Sequence, residues 1–559
     1  MGTGTIDVMD DARAAADASL GALAAGARCW AARTLAERGR LLLATHRAVG
    51  DAAADWVRAA CAIKGIDERL AGEEWLSGPY AALTALAAYA ETLQALDGRR
   101  SPVDGFGLVD APGGRRAVRV LPHAAGDRLL LSGHRVDVWF PPGVGDEQIR
   151  ATAGLAQRDP ARRGGVGVVL GAGNVTAIPP LDALYELLAH GRACMVKLNP
   201  ITDPLLPVLR RAFAPLIEAG VLRVHADGGL GPYLVGHRAV DHIHLTGSAA
   251  TYDTVVYGSA ERKARGDRLT GIPVTAELGG VSPIIVVPGR WAAADLRHQA
   301  EHVATMRLHN NGYNCIAGQV LIVAADWPQR AEFLARVQAA MARAPHRPDY
   351  YPGSAARVRA AADTHSAVAD LDGRLVLRGI VAGDPALRTE YFAPVLAIVE
   401  LPGAGIDYLR RAVDVANTDL AGTLGANIVA LPEQVRTGSF QRALAELRYG
   451  AIGVNTWTGF AFLTARAPWG AFPGGDDTSS GVGIVHNALL LDGPERTVAT
   501  GPFRPLPRSL AHGEPSLLPR PPWFVTHRAA ALTSSRLTDY AADPRRWRIP
   551  GILAAALRG

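Results

Sequence analysis

Cys315 closes the stretch Leu308-His309-Asn310-Asn311-Gly312-Tyr313-Asn314-Cys315-Ile316-Ala317, just ahead of the β-rich run Val320-Leu321-Ile322-Val323. A cysteine between turn-forming polar residues and an apolar strand reads as a thiol at the mouth of a packed element. Such a thiol does chemistry only as the thiolate, which needs a donor-rich site to lower its pKa. The bland alternative is a buried, inert side chain, since free cysteines are among the most buried residues. The surroundings favour chemistry. Upstream lies Thr275-Ala276-Glu277-Leu278-Gly279-Gly280-Val281-Ser282, an acid and a tight Gly-Gly turn before another apolar strand.

Together and in this order, the two segments resemble motifs of the aldehyde dehydrogenase superfamily. That family carries Glu-Leu-Gly-Gly with the general base, then Asn-x-Gly-Gln-x-Cys with the nucleophile. Here they read Glu277-Leu278-Gly279-Gly280 and Asn310-Asn311-Gly312-Tyr313-Asn314-Cys315, with Tyr313 in place of Gln. The resemblance implies an α/β fold: a Rossmann-like cofactor domain, an α/β catalytic domain and a small oligomerisation hairpin or arm. It also implies oxidation of an aldehyde to a carboxylic acid with NAD or NADP, through a thiohemiacetal and a thioester on Cys315, with Glu277 as deacylation base. Two alternatives stay open. One is an acyl-CoA reductase on the same fold, a class that commonly lacks the base. The other is a non-catalytic scaffold, suggested by Tyr313, Tyr252 and Ala393 at family motif positions.

The cofactor side is read from three further stretches. Val166 to Leu170 is a short buried strand running into Gly171-Ala172-Gly173-Asn174-Val175-Thr176 and then a helical segment, half of a dinucleotide fingerprint. The third glycine is Thr176, and the next strand ends in Lys197 where a standard Rossmann unit places a carboxylate. The resemblance accounts for both departures. It implies that Asn174 points at the substrate as an oxyanion donor and that Lys197 contacts the adenosine ribose. Pro200 replaces the acid that in this family selects unphosphorylated NAD, so both NAD and NADP are expected to bind. Thr246-Gly247-Ser248 matches the family turn at which the pyrophosphate meets a helix N-terminus. Glu390 and Phe392, in Thr389-Glu390-Tyr391-Phe392-Ala393-Pro394-Val395, match residues that bind the nicotinamide ribose and flank the ring. Trp457, Phe460, Phe462 and Trp469 fall where the family lines its substrate entrance, which suggests an apolar or aromatic aldehyde; ordinary core aromatics are the alternative. His242 and His244 alternate on a strand and read as core or surface histidines rather than metal ligands. No metal is needed.

These residues must be positioned by a chain of 559 residues, long enough for two or three domains. Alternating apolar β-like and Ala/Leu-rich helical runs argue α/β. The expected organisation is a cofactor-binding domain from residues 1–125 and 148–272 with N-terminal helices, and a catalytic domain from 273–455 followed by a closing segment, 456–500. Leu129-Leu130-Leu131 and Val136 to Phe140 read as a hairpin within 126–147; the resemblance implies that it reaches a neighbouring subunit in a homodimer or homotetramer, and an ordinary surface hairpin is the alternative. Residues 98–125 read as a loop. The Pro/Arg-rich extension 501–559 exceeds the resemblance and reads as an arm on a partner or a partly disordered tail.

The net charge of +5 is concentrated in that extension, which holds nine arginines against three acids. The body therefore lacks the electrostatic footprint of a nucleic-acid binder. Four cysteines without a CxxC suit a cytoplasmic location, and no apolar stretch reads as a membrane span. HExxH and GxSxG are absent. Only Lys64, Lys197 and Lys263 are lysines in an arginine-rich chain, which marks each for a role that arginine fills poorly.

Overall fold

The computed structural model describes residues 3–159, 161, 164–475 and 479–559. Two sheets organise it. In the smaller, Val166–Leu170 is flanked on one side by Ala193–Lys197 and Leu222–His225, and on the other by His242–Gly247 and Val274–Leu278, all parallel. Val166–Leu170 and Ala193–Lys197, at its centre, are apolar at nearly every position because helices cover both faces of the sheet. The chain reverses its direction of winding between Val166–Leu170 and His242–Gly247. Ligands of open parallel sheets lie at the carboxyl ends of the strands beside such a reversal.

The larger sheet has eleven strands. Its parallel centre contains Ser282–Val286, Gly318–Ala324, Val395–Leu401, Gly425–Val429 and Ala451–Val454. Arg496–Thr500 extends it in parallel, and Arg135–Trp139, Arg115–Leu121 and Gly107–Ala111 continue antiparallel to the edge. Gly481–Val482 instead caps the smaller sheet beside Glu277, so the chain stitches the two bodies together there.

The expected hairpin of residues 126–147 is not formed. Ala125–Leu130 is a helix, started by the Asp127 carboxylate accepting from the His123 and Ala124 N–H groups at 2.9 and 2.8 Å. A short apolar run such as Leu129 to Leu131 fits a helix face as well as a strand. The true partner of Arg135–Trp139 is Arg115–Leu121, inside the stretch read as a loop. Its arginines hid the alternation. Arg116 pairs with Asp146 at 2.7 Å and Arg119 with Asp137 at 2.9 Å, so polar positions are satisfied along the strand edge. These strands join their own chain's sheet rather than standing out as an arm.

The extension 501–559 is likewise neither a free tail nor an outstretched arm. Phe503, Trp523, Phe524, Val525 and Ile552 are buried in the main core. Helices Ala530–Ala542 and Ile549–Ala556 pack on the N-terminal half of the chain and on one another. Buried polar bonds fix the segment to helix Ala293–Leu308: Gln299 Nε2 donates to the Phe503 carbonyl at 2.6 Å, and Arg520 pairs with Glu301 at 2.9 Å. Among the described residues no helix is long and apolar enough to cross a membrane.

Candidate active site

Cys315 sits in a short segment between helix Ala293–Leu308 and strand Gly318–Ala324. The chain must turn sharply there, and three consecutive residues do so in the left-handed region: Asn310 (φ 52°), Asn311 (φ 52°) and Gly312 (φ 80°). Asparagine tolerates this conformation better than most residues, and glycine does so freely. At Gly312 a Cβ would also come within 3.0 Å of the Ala393 carbonyl oxygen. The turn is held by buried bonds. Asn310 N–H donates to Glu73 at 2.8 Å, its side-chain amide donates to the carbonyl of Asn174 at 3.1 Å, and Arg307 donates to the Gly312 carbonyl at 2.8 Å.

Tyr313, which stands where Gln was expected, turns away into its own polar niche. Its hydroxyl bonds Asp349 and Ser354, each at 2.8 Å, and its ring packs by Tyr350, Tyr351 and Phe392. Tyr252 is buried in the helix Ala249–Val256. Thr176, at the third-glycine position, accepts the Trp56 indole N–H at 2.9 Å and so ties the turn to the N-terminal helices.

One cavity of about 730 Å³ lies between the two sheets, and the eight residues expected to act in catalysis or cofactor binding line it: Cys315, Glu277, Asn174, Lys197, Gly247, Ser248, Glu390 and Phe392. Gly247 ends its strand. Ser248 caps the following helix, its hydroxyl accepting the Thr251 N–H at 3.1 Å. Lys197, at a strand end on the wall, is ion-paired with Asp227, a carboxylate outside every motif. The Asn174 amide donates one N–H to the Tyr313 carbonyl at 2.8 Å, which leaves its second N–H free of that bond. Phe392 is held at φ 45° between Tyr351 and Tyr313.

Cys315 and Glu277 are neighbours. The thiol lies close enough to influence the carboxyl, and among the described residues neither Glu277 oxygen has a hydrogen-bond partner. Burial pushes the Glu277 carboxyl up to about 7, the nearby Asp182 adds to this, and Cys315 and His486 pull it back. Burial also pushes the Cys315 thiol well above its usual value, reinforced by the charge of Glu277, while its own backbone N–H acts in the opposite sense. The resting pair therefore favours a protonated thiol, contrary to the lowered pKa expected of it, beside a carboxyl about half ionised at neutral pH. Glu390 is pushed up to about 8, mainly by burial, against the pull of the Gly280 N–H and Arg307.

Several supporting groups lie outside the motifs. Lys64 reaches in from the N-terminal helices, and its ammonium donates to Glu74 at 2.7 Å, to the Asn174 carbonyl at 2.9 Å and to Asn310 Oδ1 at 3.0 Å. Its rarity as a lysine was the one available hint. Asp182 is bonded to Thr246 and His486, each at 2.9 Å, behind Glu277. His242 and His244 are buried and bonded to Glu186 and Thr275. Trp457, Phe462 and Trp469 border a second, small apolar pocket that also touches Cys315.

The site is thus a thiol–carboxyl pair in the cleft of a two-sheet α/β protein, with a strand-turn-helix unit on the other wall. A family model described as the aldehyde dehydrogenase family matches residues 146–474, more than half of the chain. The chain belongs to the aldehyde dehydrogenase family. Aldehyde dehydrogenase LUC3 of a Fusarium species is 30% identical over 162 residues, 28% of this chain and 32% of that protein. The aminoacetaldehyde dehydrogenase of Pseudomonas aeruginosa is 28% identical over 324 residues, 52% of this chain and 60% of that one. The chain therefore spans about a third to three fifths of the length of these curated relatives. The solved NAD-dependent aldehyde dehydrogenase of Sinorhizobium meliloti superposes with a TM-score of 0.59 at 18% identity, covering 89% of this chain and 88% of that one. That likeness supports the α/β fold.

Proposed function

We propose that the protein oxidises an aldehyde to a carboxylic acid, using NAD or NADP, with Cys315 as nucleophile and Glu277 as base. The observation that carries this reading is the adjacency of the Cys315 thiol to the unpartnered Glu277 carboxyl on the wall of the large cleft.

The cleft fits a nicotinamide dinucleotide on its own features. Glu390 Oε1 is shut from solvent with no partner, an acceptor suited to a ribose hydroxyl. A Cβ at Gly279 would lie 2.1 Å from that same oxygen, so the Gly-Gly turn is what leaves room for it. The residues that would hold the dinucleotide are Glu390 and Phe392 at the nicotinamide end, Gly247 and Ser248 at the pyrophosphate, and Lys197 at the adenosine ribose. When bound, the nicotinamide supplies the hydride acceptor that converts the thiohemiacetal into a thioester. A relative from Thermoplasma acidophilum is named as NADP-dependent and the Sinorhizobium protein as NAD-dependent, which supports either dinucleotide here.

The protein's own groups do the rest. Glu277 takes the Cys315 proton, and the thiolate adds to the aldehyde carbon. The charge that develops on the aldehyde oxygen meets the Asn174 amide and the Cys315 N–H; one such donor is typically worth about 3–4 kcal/mol. Once the acyl group is on sulfur and Glu277 has released its proton, the carboxylate removes a proton from water as the water oxygen attacks the acyl carbon. The C–S bond then breaks, freeing the acid and returning Cys315. A base with a pKa near operating pH suits both proton transfers.

A panel of aldehydes screened with NAD and with NADP, read by the absorbance of the reduced cofactor, tests this. Aldehyde-dependent reduction that yields free acid is expected. Acyl-CoA-dependent consumption of reduced cofactor without any aldehyde oxidation would overturn it.

A further inference from the structure

Cys315 opens on a second space besides the large cleft. A pocket of about 40 Å³, almost wholly apolar, is bordered by Cys315, Asn174, Ile178, Trp457, Phe462 and Trp469. Leu76 and Leu463 also border it, and the same two leucines border a chamber of about 110 Å³ beyond. The far wall of that chamber comes from the extension, through Leu518, Trp523, Leu537, Ile552 and Leu553. These residues lie outside the matched segment 146–474. Leu76 begins an irregular turn, Leu76–Tyr80, where the helix widens to i→i+5 bonding around Gly78 (φ −114°, ψ −109°). Such widened turns frequently mark functional sites.

The wall is fixed relative to the nucleophile. Helix Ala293–Leu308 holds the extension through Gln299, Glu301 and Thr305, the last accepting the Val525 N–H at 3.2 Å. Its next turn runs directly into the loop bearing Cys315. The extension and the thiol therefore share one rigid support.

We propose that residues 501–559 form the outer wall of the aldehyde channel, and that the chamber behind Leu76 and Leu463 receives the apolar tail of a straight-chain aldehyde. This rests on the dehydrogenase reading above. Size favours a modest tail: an apolar cavity of about 150 Å³ holds one benzene, and the pocket and chamber together offer similar room, with Asp127 and Arg466 the charged groups on the chamber's lining. Form favours a chain, because Leu76 and Leu463 stand between the two spaces and a tail that reaches both must bend past them. Each methylene moved from water into the chamber should raise kcat/KM about fourfold.

The test is a series from propanal to decanal, with wild type, Leu553→Trp and Leu553→Ala. Leu553 is half-buried on the chamber wall, so it can be changed without emptying the core. Wild-type kcat/KM should climb at least about 50-fold along the series and then level off. The Trp variant should level off at a shorter chain and the Ala variant at a longer one. A flat wild-type series, or a Trp variant with the wild-type profile, overturns the proposal. Should circular dichroism show that the Trp variant is unfolded, an Ala variant with an unshifted plateau overturns it equally. Binding of unreactive 1-octanol against 1-propanol, read by tryptophan quenching, separates this proposal from the reaction itself. Octanol preference lost in Leu553→Trp, in a protein that oxidises no aldehyde, supports the chamber while removing the dehydrogenase reading; no octanol preference overturns the chamber.

Discussion

Replacing Glu277 by Gln changes one group whose burial has a calculable consequence. The carboxyl is raised from its usual 4.5 to about 7, principally by burial. That displacement corresponds to about 3 kcal/mol of bias against the charged form in the folded protein. Two pH dependences follow, one kinetic and one thermodynamic. Kinetically, about half of Glu277 is ionised at pH 7 and about a tenth at pH 6, so acyl release should fall close to tenfold per unit below neutrality. Glu277→Gln should keep a stoichiometric burst of reduced cofactor while steady turnover drops roughly 10²–10⁴-fold. Thermodynamically, a carboxyl raised on folding favours the folded state fully below its unfolded pKa, and this contribution is lost as pH rises from about 4.5 to about 7. The Gln variant lacks that slope, so its stability relative to wild type should grow across this window, by up to about 3 kcal/mol, and then stay constant. Asp182 is itself raised to about 6 by burial and is present in both proteins, so their difference reports Glu277 together with its coupling to Asp182. Stopped-flow absorbance measures the burst, and denaturant titrations at pH 5 and 8 measure the slope. Equal loss of burst and turnover would refute the deacylation role. A stability difference independent of pH would refute the raised carboxyl.

Cys315→Ser should abolish turnover, with folding unchanged by circular dichroism; residual steady oxidation above about a thousandth of wild type would remove the thiol from the reaction. Lys197→Ala should raise the Michaelis constant for the dinucleotide several-fold more than that for aldehyde, measured by varying each at saturation of the other; an effect confined to aldehyde would refute its placement. Lys64→Met should leave the Glu74 carboxylate buried and unpaired, which costs about 3–5 kcal/mol. Thermal melting reports that loss, and the double variant Lys64→Met/Glu74→Leu should recover part of it. The double variant should remain slow, because Asn174 and Asn310 have still lost the ammonium that bonds both.

The site was legible where chemistry is written in contiguous motifs. Glu277 and Gly279, Gly247 and Ser248, and Glu390 and Phe392 are each set by one turn at one strand end. A few neighbouring residues therefore fix where each group points, and the cleft gathers them all. The expected hairpin failed for the converse reason. Leu129 to Leu131 carries no period long enough to separate helix from strand, while the strand Arg115–Leu121 carries its arginines at positions satisfied by Asp137 and Asp146, across gaps that no local pattern reports. Lys64, Asp182 and His486 act on the site from sequence distances over which spacing carries no information.

Helix Ala293–Leu308 shows why the extension could not be read from its own composition. Prolines and arginines in residues 501–559 match the composition of a solvated tail. The helix changes their meaning, because it presents Asp295, Gln299, Glu301 and Thr305 as buried polar side chains. Buried carboxylates are tolerable only with partners, and Arg504, Arg508 and Arg520 supply them. The charge excess of the extension is thus partly spent on acids of the body, and the apparent asymmetry of the sequence is an internal complementarity. At its far end the same helix places Arg307 on the Gly312 carbonyl and beside Glu390. The extension, the loop bearing Cys315 and the Glu390 carboxyl consequently hang from a single element. The extension and the turn that carries Cys315 are thus both anchored on one packed helix.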